Sequence, residues 1–152
     1  MYQKGQRTRL DVTVRKVEYM FYHETEIEQC VNESRYDSGT GHTGGSLGHS
    51  YISDPTAIQG IKAAMDIKKI TLSDGSVIYW PEKWLKVIRS TYQQGNETQQ
   101  QAIRMRYQEL KNYRLICESL FISPNVYYTM LNDAQNYAIA AACQEQIIRV
   151  ME

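Results

Sequence analysis

The stretch Asn112-Tyr-Arg-Leu-Ile-Cys-Glu-Ser-Leu-Phe-Ile-Ser-Pro-Asn-Val-Tyr-Tyr-Thr-Met-Leu131 reads as two helices joined by a tight turn. Tyr113 to Phe121 carries apolar residues at helical spacing. After Ile122, Ser123 offers a side-chain acceptor at an N-cap, and Pro124 brings a φ already set for the first helical position. A helix over about Thr98 to Gln108 precedes the pair, with Ala102, Ile103, Met105 or Arg106, and Tyr107 available to pack. A helix-turn-helix needs a compact residue where its helices cross and apolar residues in the turn and on the inner face of the second helix. Ile116, Cys117, Leu120, Ile122, Tyr127 and Leu131 meet those needs in order, with Cys117 as the compact residue. Phe121 stands where many such turns carry glycine, which points to a slightly different turn.

With Tyr127 and Leu131 facing inward, Asn125, Val126, Tyr128, Thr129 and Asn132 fall on the outer face at the start of the second helix. There they can reach base edges: asparagine pairs bidentately with adenine, and Val126 or the Thr129 methyl can meet a thymine methyl. Arg104, Arg106, Lys111, Asn112, Arg114 and Ser123 are the candidates for phosphate contacts. The second helix should run from Pro124 to about Met151. Its stripe of Tyr127, Leu131, Ala134, Ala138, Ala141 and Ile148 lies near heptad spacing and suits either an intramolecular core or a dimer seam. Ala140-Ala141-Ala142 would let helices approach closely.

Working toward the N-terminus, Pro81 opens a helix carrying Trp84, Val87, Ile88 and Thr91 that ends near Gly95-Asn96. Trp80 and Trp84 read as core anchors. Before it, Lys69 to Trp80 changes period around Asp74-Gly75, with Ile70 and Leu72 on one side and either Val77 and Tyr79 or Ile78 and Trp80 on the other. This is a two-stranded hairpin signal. Asp54-Pro55 starts another helix, with Ile58, Ile61 and Met65 as its buried stripe. Residues 34 to 50 are rich in Gly, Ser and Thr and read as a mobile linker. His42, His49 and Asp37 in it lack metal-ligand spacing and read as solvated side chains. From Leu10 to Val31, Leu10, Val14, Val17 and Phe21 form one stripe that Met20, Ile27 and Val31 extend, predicting a single long amphipathic helix. The expected organisation is an N-terminal helix (1–33), a flexible linker (34–53), a helix-hairpin-helix segment (54–96) and a helix-turn-helix region with a long last helix (97–152). The fold class is all-α with one small hairpin.

Composition narrows the function. The chain has 152 residues, 42% of them hydrophobic and 22% charged, in the range of a folded domain. No stretch approaches the length of apolar chain that a membrane span needs, and Met1 to Leu10 is polar and basic without the apolar centre of a signal peptide, so the expected compartment is the cytoplasm. Cys30, Cys117 and Cys143 are an odd number, far apart, and suit reduced thiols packed as small hydrophobes. The formal net charge is zero, yet Lys4, Arg7, Arg9, Arg15 and Lys16 make the first turns basic, and Arg104, Arg106, Lys111 and Arg114 cluster before the second helix of the pair. A homodimer would double the phosphate contacts and offset the missing excess of positive charge. The sequence holds no nucleophile beside a base, no paired carboxylates and no phosphate loop, so no enzyme and no cofactor is expected.

The order of a basic N-terminal helix, a Gly-rich linker, the Asp54-Pro55-Thr56 helix start, then Ala102-Ile-Arg-Met-Arg-Tyr107 and Leu115-Ile-Cys-Glu-Ser-Leu-Phe-Ile-Ser-Pro-Asn-Val-Tyr-Tyr-Thr-Met-Leu131 resembles phage transcriptional regulators of the RinA and ArpU type. These are similar in turn to region four of bacterial sigma factors. Residues 97 to 135 carry the resemblance, and it is looser before them. It implies a regulator of phage late, packaging or lysis genes in a bacterial host cell, binding promoter DNA, with RNA polymerase as a second partner. The chain departs from that pattern in having no Lys or Arg between Ser123 and Asn136. The expected function is therefore sequence-specific binding of double-stranded DNA. The alternatives are a small terminase subunit, which also combines a helix-turn-helix with helical oligomerisation, and a protein-interaction module, which the neutral overall charge suits.

Overall fold

The computed structural model describes residues 9–36 and 66–149. In chain order the elements are α1 (Arg9–Tyr22), α2 (Glu24–Tyr36), β1 (Lys69–Thr71), β2 (Val77–Tyr79), α3 (Pro81–Gln94), α4 (Glu97–Tyr107), α5 (Tyr113–Leu120) and α6 (Pro124–Gln144). The fold is therefore mostly helical with one small antiparallel hairpin. The proposed linker over 34–53, the helix start at Asp54 and the histidines His42 and His49 lie outside the described residues, apart from 34–36, which close α2. Among the described residues, no helix is long and apolar enough to cross a membrane. Those residues form two compact units, 9–25 with 83–149, and 26–36 with 66–82. The N-terminal helix thus shares a unit with the C-terminal helices, an association that linear order alone does not reveal.

In the larger unit, α1, α4 and α5 all pack on α6. The reason lies in the inner stripe of α6: Tyr127, Leu131, Ala134, Ala138 and Ala142 recur every three or four residues and are buried. The three alanines let neighbouring backbones come close. Val17, Met20 and Phe21 of α1, Trp84, Val87, Ile88 and Thr91 of α3, and Ala102, Ile103 and Tyr107 of α4 complete the core. The stripe that suited either a core or a dimer seam is therefore core over Tyr127 to Ala138; Ala141 and Ile148 at its end are half-buried. Thr91 tolerates complete burial because its hydroxyl donates to the Val87 carbonyl at 2.8 Å.

A polar cluster sits within this packing. The Glu18 carboxylate of α1 accepts from the Tyr107 hydroxyl at 2.9 Å, from Gln135 Nε2 at 2.8 Å and from Arg106 at 3.3 Å. Arg106 also donates to the Tyr127 hydroxyl at 3.0 Å. One carboxylate thus joins α1, α4 and α6.

In the smaller unit, β1 pairs with β2 in the register Lys69↔Tyr79, Ile70↔Ile78, Thr71↔Val77. Ile70, Leu72 and Ile78 are buried, as are Ile27 and Val31 on α2. The loop is Ser73-Asp74-Gly75. Gly75 takes φ +84°, the Leu72 carbonyl accepts from the Gly75 amide at 3.0 Å, and Asp74 Oδ1 accepts from the Ser76 amide at 2.8 Å. This is the three-residue hairpin loop that ends in a left-handed glycine. Glu26 accepts from the Ser73 amide at 2.7 Å, and Arg35 Nε donates to Glu82 at 2.8 Å.

Four expectations need correction. The long N-terminal helix is two helices broken at His23, whose Nδ1 lies 2.8 Å from the Tyr19 carbonyl, the same acceptor its own amide uses at 3.1 Å. The ring stacks on Tyr19 at 4.0 Å, so a local side-chain contact competes with the helical ladder there. Leu10 does not join the stripe but is exposed; α1 packs through its C-terminal half, by Val17, Met20 and Phe21. Trp80 is 38% exposed rather than a core anchor, because the strand ends at Tyr79 and Trp80 adopts φ +54° just before Pro81, which takes it off the inward face it would otherwise share with Ile78. Finally, α6 stops at Gln144. Gln146 takes φ +61°, its amide donates to the Cys143 carbonyl at 3.0 Å and that of Ile147 to the Ala142 carbonyl at 3.1 Å, a Schellman stop without glycine.

Burial pushes the phenols of Tyr92, Tyr107 and Tyr127 above their ordinary range. The folded state therefore favours their neutral forms. The stability this contributes is complete below the unfolded value of about 10 and is lost as pH rises beyond it. Urea midpoints should stay level from these groups up to about pH 9 and fall above about pH 10, with phenolate absorbance from the buried rings appearing only as the chain unfolds. Early titration of all twelve tyrosines with the fold intact would contradict this.

Candidate nucleic-acid interface

The helix pair is set by its caps. Asn96 accepts from the Gln99 amide at 2.8 Å to start α4, and Gln99 Nε2 reaches across to the Met130 carbonyl of α6 at 3.0 Å. Gly95 leaves room for Gln99 in this position, since a Cβ there would stand 2.5 Å from Gln99 Oε1. Asn112 accepts from the Leu115 amide at 3.0 Å to start α5, and Ser123 from the Val126 amide at 3.3 Å to start α6. Between α5 and α6 the chain turns at Phe121, φ +54°, with the Ile122 amide donating to the Cys117 carbonyl at 3.1 Å. The turn is thus the left-handed one that glycine usually makes, adopted here by phenylalanine with its side chain 96% exposed. Leu110 makes a matching stop after α4, also at φ +54°.

Ile116, Cys117, Tyr127 and Leu131 are buried. Asn125, Val126, Tyr128, Thr129 and Asn132 are exposed together on the outer face of α6. The Thr129 hydroxyl donates to the Asn125 carbonyl at 2.9 Å, so that side chain presents its methyl. The Tyr128 ring lies 5.9 Å from the Tyr113 ring and 5.1 Å from that of Tyr127, which braces it at the surface. Sequence reasoning missed Tyr113. Its hydroxyl accepts from Arg114 Nε at 3.3 Å and its ring lies 5.8 Å from the Arg114 guanidinium, so it holds a cation beside the face. An aromatic residue directly before Arg114 and opposite Tyr128 was the available signal.

The phosphate candidates divide. Arg104, Lys111 and Arg114 are exposed. Lys111 pairs with Glu109 at 2.6 Å, a surface contact worth little. Arg104 and Lys111 line a shallow cleft of about 270 Å³ with Gln101, Met105, Glu109 and Leu120. Asn112 and Ser123 have their side-chain oxygens engaged as caps; α5 opens with the amides of Tyr113 and Arg114, whereas α6 opens on Pro124, which has no N–H. Arg106 is different. Its guanidinium is mostly covered, bonded to Glu18 and Tyr127 and 5.5 Å from the Tyr107 ring. Burial opposes its charge, but the Tyr127 hydroxyl and the surrounding phenols outweigh that and raise its pKa. It is a packing residue joining α4 to α1 and α6. Among the described residues no group of His, Cys, Asp and Glu is placed to hold a metal.

Compared with known protein families, with curated proteins and with solved structures, the chain matches none.

Two substitutions separate these roles in stability measurements. Arg106→Ala should destabilise by about 2 kcal/mol, the scale of charge-assisted hydrogen bonds left unmade, whereas Arg104→Ala should stay within roughly 0.5 kcal/mol. Equal effects in denaturant unfolding would remove the distinction. Phe121→Gly should stabilise by roughly 0.5–1 kcal/mol, since it relieves the left-handed strain and forfeits no burial, less the extra freedom glycine has when unfolded. A loss of stability would mean that the exposed ring makes contacts that hold the turn.

Proposed function

We propose that this chain is a sequence-specific double-stranded DNA-binding protein, a transcriptional regulator of phage or prophage genes, with α5 and α6 as its helix-turn-helix. One observation carries the reading. The first turns of α6 present five adjacent side chains, none charged, on an exposed face whose other side is anchored in the core by Tyr127 and Leu131. A rigid helix offering short polar and methyl-bearing groups at its N-terminal end suits the major groove, where such groups meet base edges. Arg104, Lys111 and Arg114, together with the N-terminus of α5, supply the phosphate contacts. Arg106 is left out of that set because Glu18 and Tyr127 hold it. The resemblance of residues 97 to 135 to phage regulators supports the same reading.

A second reading has its own support. Phe121 at 96%, Leu110 at 71% and Leu115 at 49% exposure set large apolar side chains around the helix pair, as a surface for another protein such as RNA polymerase would. The two readings are compatible in a regulator that meets DNA through α6 and a protein through the turns.

Arg114→Ala should weaken binding to all duplexes alike and lower the slope of log K against log salt by about one. Asn125→Ala should cost roughly 1–3 kcal/mol at the preferred site with little change on random DNA. Fluorescence anisotropy over a salt series checks both. Identical losses on specific and random duplexes, or no loss from either, would transfer the function to the protein-interaction reading.

A further inference from the structure

The outer face of α6 is specific in what it lacks. Discrimination of guanine in the major groove rests mainly on arginine or lysine donating to O6 and N7, and discrimination of cytosine on a carboxylate accepting from N4. From Ser123 to Asn132 there is neither a cation nor a carboxylate; Asp133 is the first charge. What the face does present matches the other base pair. Asn125 and Asn132 carry the amide that pairs with N6 and N7 of adenine. Val126 is 42% exposed and offers two methyls. Thr129, its hydroxyl engaged by the Asn125 carbonyl at 2.9 Å, offers its methyl rather than a donor. Tyr128, 44% exposed, is braced between Tyr113 and Tyr127 and adds an apolar ring edge at fixed position.

The charges lie elsewhere in the same unit, on Arg104, Lys111 and Arg114 ahead of and at the start of α5. That segregation complements a duplex, whose charge is on its outer phosphates and whose thymine methyls line the floor of the major groove.

We infer that the target is an A·T-rich duplex read in the major groove through its thymine 5-methyl groups, contacted by Val126, Tyr128 and Thr129, with adenines taken by Asn125 and Asn132. This rests on the duplex-binding reading above and names its ligand class. Each thymine methyl buried against such a face contributes about fourfold in affinity, the worth of one methylene removed from water.

The full-length protein is incubated with a pool of random-sequence duplexes, and the bound fraction is sequenced. The recovered core should be A·T pairs. Duplexes of that core are then made with deoxyuridine in place of thymine, which removes the 5-methyl and nothing else. Wild-type protein should bind the uracil duplex about fourfold more weakly for each contacted methyl. Thr129→Ser, which keeps the hydroxyl bond to Asn125 and deletes the methyl, should bind thymine and uracil duplexes more nearly alike, as should Val126→Ala. A recovered core of G·C pairs, or equal binding of thymine and uracil duplexes by the wild type, overturns the inference while leaving DNA binding intact. Recovery of no preferred duplex at any salt overturns the DNA-binding reading and this inference together.

Discussion

The Glu18 carboxylate is the point on which the geometry of the larger unit turns. It takes hydrogen bonds from Tyr107, Arg106 and Gln135, which belong to two different helices, and Arg106 passes the connection on to the Tyr127 hydroxyl. The hydrophobic effect that packs these helices is not directional. Hydrogen bonds with defined donors and acceptors are. Tyr127 lies between Val126 and Tyr128 in the chain, so fixing its hydroxyl fixes the rotation of the first turns of α6 and hence the direction in which the outer face looks. The cluster is also demanding: a covered carboxylate without its donors, or a covered guanidinium without its acceptors, is more destabilising than an apolar substitute would be.

The helix stops follow a second constraint. α4, α5 and α6 are followed by Leu110, Phe121 and Gln146 in left-handed conformation, each a residue with a Cβ where glycine would be unstrained. Each such position costs about 1–2 kcal/mol relative to a right-handed one. The expense at Leu110 and Phe121 is not recovered by burial, since both side chains are exposed. Their retention is intelligible if the exposed side chains themselves have work to do at the surface around the helix pair.

Much of this is legible in the sequence, and the parts that are not have separate physical causes. Strong local signals translated well: Ser123-Pro124 starts α6, Asp74-Gly75 closes the hairpin, and the alternation of Tyr127 and Leu131 with their neighbours sorts the two faces of α6. Periodicity also placed Val17, Phe21, Trp84 and Ile88 in the core. The stop at Gln144 was hidden because a Schellman turn without glycine leaves no mark in composition. The break at His23 is accompanied by a ring stacked on Tyr19, a contact that no propensity encodes. Arg106 reads as a phosphate ligand because it stands in a cluster with Arg104, Lys111 and Arg114; its partner Glu18 lies 88 residues away, and a pairing at that distance is invisible to a local pattern.

The removal of Arg106 from the interface changes the balance of forces expected there. With three exposed cations before and at the start of α5, and none on the outer face of α6 through Asn132, counterion release would contribute less than in a basic recognition helix. In the proposed complex with DNA, base-edge contacts and methyl burial would supply a larger share of the affinity, and these depend on the orientation of the helix face. The covered polar cluster that holds Tyr127 and the aromatic brace that holds Tyr128 both act on the same turn of α6. A surface poor in charge gains selectivity from fixed geometry, and the hydrogen bonds that hold Tyr127 lead back to a carboxylate on α1, the helix most distant from it in the sequence.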